Sequence, residues 1–158
     1  MVILFMQYLI IFLISMVPLI ELRGAIPYAI GFKLPLLTSY IICILGNMLP
    51  VPFIFLFARK ILVWGSDKKY IGGFFNWCLK KGERGGKKLQ EKAGRGLYVA
   101  LFLFVGIPLP GTGAWTGTLA ASLLDMDFKK STLAVMCGVV LAGIIMGLVS
   151  GGVFSFIR

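Results

Sequence analysis

Glu21 and Arg23 stand two residues apart between long apolar stretches. Ionisable residues at membrane depth are rare and costly, and mark function by default. Two apart on a regular helix, they would not face each other. In a broken segment, both can point into one cavity. A carboxylate in a poorly hydrated cavity takes up a proton more readily, which makes Glu21 a candidate proton acceptor. Arginine is a fixed cation suited to phosphate or carboxylate. The plainer alternative is that the pair marks an outer membrane surface. The 158 residues include no histidine. Proton chemistry must therefore use carboxylates, and an imidazole-ligated metal is excluded.

A second constellation is Gly106-Ile-Pro-Leu-Pro-Gly-Thr-Gly113, inside an uncharged run from Gly96 to Leu124. Prolines and glycines at this density cannot continue a helix. Irregular backbone at membrane depth survives only when buried in protein or lining a water-filled cavity. Pro108, Pro110, Gly111, Thr112 and Gly113 form the break, and Trp115, Thr116 and Thr118 add an indole donor and hydroxyls. A helix starting after Gly113 would offer backbone N–H groups to an anion. A purely structural hairpin tip is the alternative.

Cys43, Cys78 and Cys137 show no C-x-x-C spacing, so neither a disulfide framework nor a zinc site is expected. No nucleophile has an identifiable base. An enzyme is therefore not expected, nor is a cofactor.

The elements that must position these residues are apolar. The chain is 59% hydrophobic and 14% charged, with a mean hydropathy of +0.96, which no soluble globular domain matches. Charge concentrates in residues 59–95, which hold eleven basic and three acidic side chains, or +8 of the net +10. Placed between apolar blocks, that excess fits the positive-inside rule better than nucleic acid, so this loop is expected in the cytoplasm. Within it, 70–79 followed by Lys80 and Lys81 reads as an interfacial amphipathic stretch against anionic lipid, or as a helix capping the bundle. The glycine-rich 82–88 lacks the spacing and preceding strand of a phosphate loop.

Four uncharged runs, 1–20, 34–58, 96–124 and 131–157, are each long enough to cross a core of ~30 Å. Lys129 and Lys130 follow the third run. A straight span would carry them outside, whereas a re-entrant hairpin over 96–126 keeps both ends inside. The run 131–157 then spans. The first half shows the same order: arm 1–20, polar break Glu21–Pro27 containing Gly24, short arm 28–32, a turn at Lys33 and Pro35, and span 36–58. No residue-level repeat is evident. The segment 1–20 lacks a cleavage site, so it is retained either as a hairpin arm or as a full span. Gly46-Asn47 and Pro50-Val-Pro52 predict a kink carrying one polar side chain. Gly143, Gly147 and Gly151 form a small-residue stripe for internal packing or, as the alternative, homodimerisation. The expected fold is one all-α integral membrane domain over 1–158. It is an inverted repeat of two re-entrant hairpins, each followed by a transmembrane helix, joined by the basic loop 59–95.

Glu21-Leu-Arg-Gly-Ala-Ile-Pro27, the Gly46-Asn47…Pro50 span and Pro108-Leu-Pro-Gly-Thr-Gly-Ala-Trp-Thr-Gly117 resemble the prokaryotic small multi-drug export protein family. That family is distantly similar to the DedA superfamily. The resemblance implies paired re-entrant loops facing each other. It also implies Glu21 and Arg23 as the charged pair of the first loop, and Pro108, Pro110, Gly111, Thr112 and Gly113 as the second. Some DedA-type relatives are linked to moving lipids, including polyprenyl-phosphate carriers, and to proton-motive force. This chain departs from them in having no Arg or Lys between Gly96 and Leu124, so a two-arginine phosphate clamp is not implied.

The expected function is a small transporter in the cell membrane, multi-pass, moving an anionic or lipid-linked phosphate substrate with proton coupling. The expected site comprises Glu21, Arg23, Gly24, Pro27, Asn47 and the second-break residues named above, through Thr116. The alternatives are a proton-coupled small-drug exporter and a non-transporting scaffold organised by the basic loop. Expected partners are membrane lipids and an amphipathic or lipid-phosphate substrate.

Overall fold

A computed structural model describes residues 2–18, 20–68, 72–73, 76–77, 80, 96–109 and 111–156. Most of the basic segment 69–95, including the expected interfacial stretch and glycine-rich 82–88, lies outside the described residues, as does Pro110. The described residues are helical and contain no strand. Their helices are α1 (Val2–Met16), α2 (Glu21–Gly31), α3 (Leu36–Met48), α4 (Val51–Ser66), α5 (Gly96–Gly106), α6 (Ala114–Leu123) and α7 (Phe128–Phe156).

Length separates these helices into two kinds. Leu36–Ser66, interrupted by a turn at Leu49–Pro50, is 31 residues long, and the apolar stretch of α7 runs from Phe128 to Gly152. Both are long and apolar enough to cross a ~30 Å hydrocarbon core. The others are too short: the 15 residues of α1 extend about 22 Å, and the 11 of α5 about 16 Å. Large apolar side chains point outward on every long helix, among them Leu37, Phe53, Leu133 and Leu148. Such a surface suits hydrocarbon rather than water.

The two long helices run antiparallel. Tyr40 of α3 donates its hydroxyl to the Val140 carbonyl. Further along, Phe55 of α4 meets Phe128 edge-on at 5.2 Å between ring centroids, and Ser122 donates to the Phe55 carbonyl at 2.8 Å. Partner numbers on α7 fall as numbers on α3 and α4 rise. The short helices fill in crosswise: α2 packs on α3 and on α7, and α6 packs on α7 and on α4.

Several positions in the two halves correspond in conformation and packing, at one constant spacing. Helix α2 ends with Lys33 at a φ of 57°, and α6 ends with Asp125 at 56°. In each case the next residue is buried and apolar, and its N–H returns to a carbonyl five residues back: Leu34 to Ala29 and Met126 to Ala121, both at 3.0 Å. This is the six-to-one bond of a Schellman cap. Then come buried Ser39 and Ser131, then Gly46 and Gly138. A Cβ on Gly46 would press on the Phe12 carbonyl at 2.7 Å, and one on Gly138 on the Phe102 carbonyl at 2.8 Å. Each pair from Lys33/Asp125 to Gly46/Gly138 is 92 residues apart. Ala29/Ala121, Ser39/Ser131 and Gly46/Gly138 share residue identity, whereas Lys33/Asp125 and Leu34/Met126 share only conformation and place.

One boundary differs from the sequence reading. The break in the first half includes Val17, Pro18 and Ile20, and Glu21–Pro27 is helical. Pro18 sits in the turn. Pro27 is tolerated inside α2 because, within a short helix, the one hydrogen bond it removes can be lost without ending the helix.

Candidate functional site

The two breaks meet, and Glu21 and Arg23 join them. Helix α6 begins after Gly113, leaving its first N–H groups without intrahelical partners. The Glu21 carboxylate accepts both of the first two: Ala114 N–H at 3.1 Å through Oε2 and Trp115 N–H at 2.9 Å through Oε1. Glu21 is 3% exposed, and a carboxylate at a helix N-terminus is favoured by the helix dipole. It caps a helix of the other half of the chain.

Arg23 does the opposite at α5. The last carbonyls of a helix are also orphans. Arg23 donates through Nη2 to the Val105 carbonyl at 3.0 Å, the Ile107 carbonyl at 3.3 Å and the Thr112 hydroxyl at 3.1 Å. Through Nη1 it donates to the Leu109 carbonyl at 2.7 Å. The Thr112 hydroxyl in turn can donate to the Leu109 carbonyl at 2.9 Å or to Ile107 at 3.0 Å. The planar fork of arginine fits this spread of acceptors. A third tie runs from the Trp115 indole N–H to the Met16 carbonyl at 3.1 Å, at the end of α1.

Backbone conformation makes room for the latch. Gly113 has a φ of 147°, and a Cβ there would overlap the Glu21 carboxylate. Gly111 has a φ of 81° with open space around it, so only its conformation requires glycine. Glu21 itself takes a φ of 52°, strained for a side chain with a Cβ. It stands 92 residues before Gly113, as Arg23 stands before Trp115. Matched positions at the starts of α2 and α6 thus carry a charged pair in one half and a glycine and an indole in the other.

The remaining expected site residues divide. Thr116 bonds weakly within its own helix, to the Gly113 carbonyl at 3.4 Å. A Cβ on Gly24 would press on Ile20, so this glycine serves the first turn of α2. Pro27 lies beside Tyr28 and Phe32, and Pro108 lies in the loop that Arg23 gathers. Asn47 is fully buried, and neither atom of its amide has a partner among the described residues; Thr118 is buried in the same condition. The neighbouring Gly46 packs against Phe12 and Ser15 in the last turns of α1, so Asn47 lies near the depth of the first break. Sequence reasoning missed Val105, Ile107, Leu109 and Met16. They act through backbone carbonyls, so residue type carries no signal. It also missed buried Ser122. Among the described residues, no group of three or more Cys, Asp or Glu could hold a metal.

Helices long enough to cross a membrane, an outward apolar surface and a buried carboxylate joining two helix breaks define a small helical membrane protein. The chain belongs to the small multi-drug export protein family, whose sequence model matches residues 21–145, from the first latch residue to the middle of α7. That family places it among membrane transporters. Searches of curated proteins and of solved structures return no match.

Proposed function

We propose that this chain is a proton-coupled exporter of small amphipathic compounds, gated by the Glu21–Arg23 latch. In this reading the two halves are re-entrant hairpins of inverted topology, and the substrate passes where their tips meet. The observation that carries it is the double engagement of Glu21 with α6 while Arg23 holds the end of α5. Protonation converts an acceptor-only group into one that also donates, and removes the charge the helix N-terminus attracts. The latch weakens and the tips can part; release of the proton closes it. Arg23's terminal nitrogens are already engaged by the protein, which favours the small-drug reading over a standing clamp for anions. In reconstituted vesicles, a lipophilic drug should drive proton flux in the wild type, and Glu21→Gln should abolish it. Unchanged flux in that variant sinks the proposal.

A second reading keeps the anionic substrate. If Glu21 swings away, the N–H groups of Ala114 and Trp115 beside Arg23 form an anion site. Lipid-phosphate movement would then be lost in Arg23→Ala, and movement at the wild-type rate would exclude it.

A further inference from the structure

We propose that the groove between α4 and α6 is a binding site for one anionic phospholipid, with an acyl chain along the groove and the phosphate at Lys60. This inference stands independently of the export reading. The groove has a volume of about 510 Å³, and its walls, almost wholly apolar, include Phe53, Phe57, Ile61, Trp115 and Leu119. The surrounding surface is that of a membrane protein, so hydrocarbon, not water, covers it. What selects among lipids is charge. Lys60 is exposed, and its Nζ lies 5.5 Å from the centre of the Phe57 ring, a wall of the groove. Beyond it, Lys68 lies 4.5 Å over the exposed Trp64 ring. Tryptophan with snorkelling lysines marks the headgroup level. The groove therefore starts at a cationic interface and runs inward to the latch helix, matching a lipid with an anionic head and an apolar tail.

The other half of the molecule supplies an internal comparison. A groove of about 440 Å³ between α2, α3 and α7 is lined by Ile26, Leu36, Leu37, Tyr40, Ile144 and Leu148, among others. It is equally apolar. Ninety-two residues after Lys60 and Phe57 stand Gly152 and Val149. The positions matched to Lys60 and Phe57 thus carry neither cation nor ring, and the aromatic wall of that groove is Tyr40 of α3.

The chain has three tryptophans. Replacing Trp64 and Trp77 with Phe leaves Trp115, a groove wall, as the reporter. This variant is reconstituted in phosphatidylcholine vesicles with equal mole fractions of either brominated phosphatidylcholine or brominated phosphatidylglycerol. The glycerol lipid should quench Trp115 with about five-fold higher apparent affinity, the effect of one lysine near an anionic headgroup. Lys60→Glu should erase that preference while leaving the emission maximum in unbrominated vesicles unchanged, which reports intact folding. Equal quenching by the two lipids before the charge is changed overturns the proposal. So does a preference that survives Lys60→Glu, since it would reflect general enrichment around a basic protein. Should Lys60→Glu disturb the emission maximum, Lys60→Gln is read by the same two criteria.

Discussion

Gly113 is where one missing Cβ matters most. Alanine there would meet both an unfavourable φ and the Glu21 carboxylate, whereas alanine at Gly111 would meet only the φ. Positive φ alone costs on the order of 1–3 kcal/mol. Thermal unfolding in detergent should therefore show Gly113→Ala clearly less stable than Gly111→Ala, with equal losses contradicting the latch geometry. Arg23→Lys is not conservative here. A single ammonium cannot reach from Val105 to Leu109, and each lost bond to a charged donor is worth about 1.5–3 kcal/mol. It should unfold several degrees below the wild type, and a wild-type midpoint would mean that Arg23 holds nothing together. The sequence marked Glu21, Arg23 and Gly113 as notable because charge and glycine are scarce signals in an apolar chain. It did not show what they bind. Their partners are backbone groups at helix ends, which any residue type supplies.

At the scale of elements, the long helices were readable from uncharged length, and the turn at Leu49–Pro50 from Pro50 and Pro52. The first break was misplaced because Gly24 and Pro27 look like breakers, while α2 absorbs both. The matched caps at Lys33 and Asp125 were hidden because αL caps are usually glycine and neither of these is. Close helix approach separates the glycines of α7. A Cβ on Gly138 would press on Val105 and the Phe102 carbonyl, and one on Gly143 on Tyr40 and Leu22, but one on Gly147 meets nothing within 4 Å. Gly138→Ala should cost about 1–3 kcal/mol by overpacking, while Gly147→Ala should stay within about 0.5 kcal/mol of the wild type. A stripe that looks uniform in sequence thus has an internal part and an open part. If unfolding in detergent ranks these two variants the other way, the packing of α5 on α7 is misplaced.

Across the whole molecule the long helices run antiparallel, α2 packs on α7 and α6 on α4, while α1 and α5 stay with their own halves. Local charge suggested this order of elements, because Lys129 and Lys130 argue against a straight third span. The correspondence at a spacing of 92 residues emerged from conformation, burial and close approach at a few positions. The proposal that follows is that the hairpins enter from opposite membrane faces, so that the Glu21–Arg23 latch closes a path between them. The turn after α2 and the turn after α6 would then lie on opposite sides. Single cysteines at positions 33 and 127, in a chain with Cys43, Cys78 and Cys137 replaced by alanine, can be labelled in cells with a membrane-impermeant maleimide before and after permeabilisation. Position 33 should label in intact cells and position 127 only after permeabilisation. If both positions label from the same face, the two halves are not inverted and the latch cannot close a path between opposed hairpins.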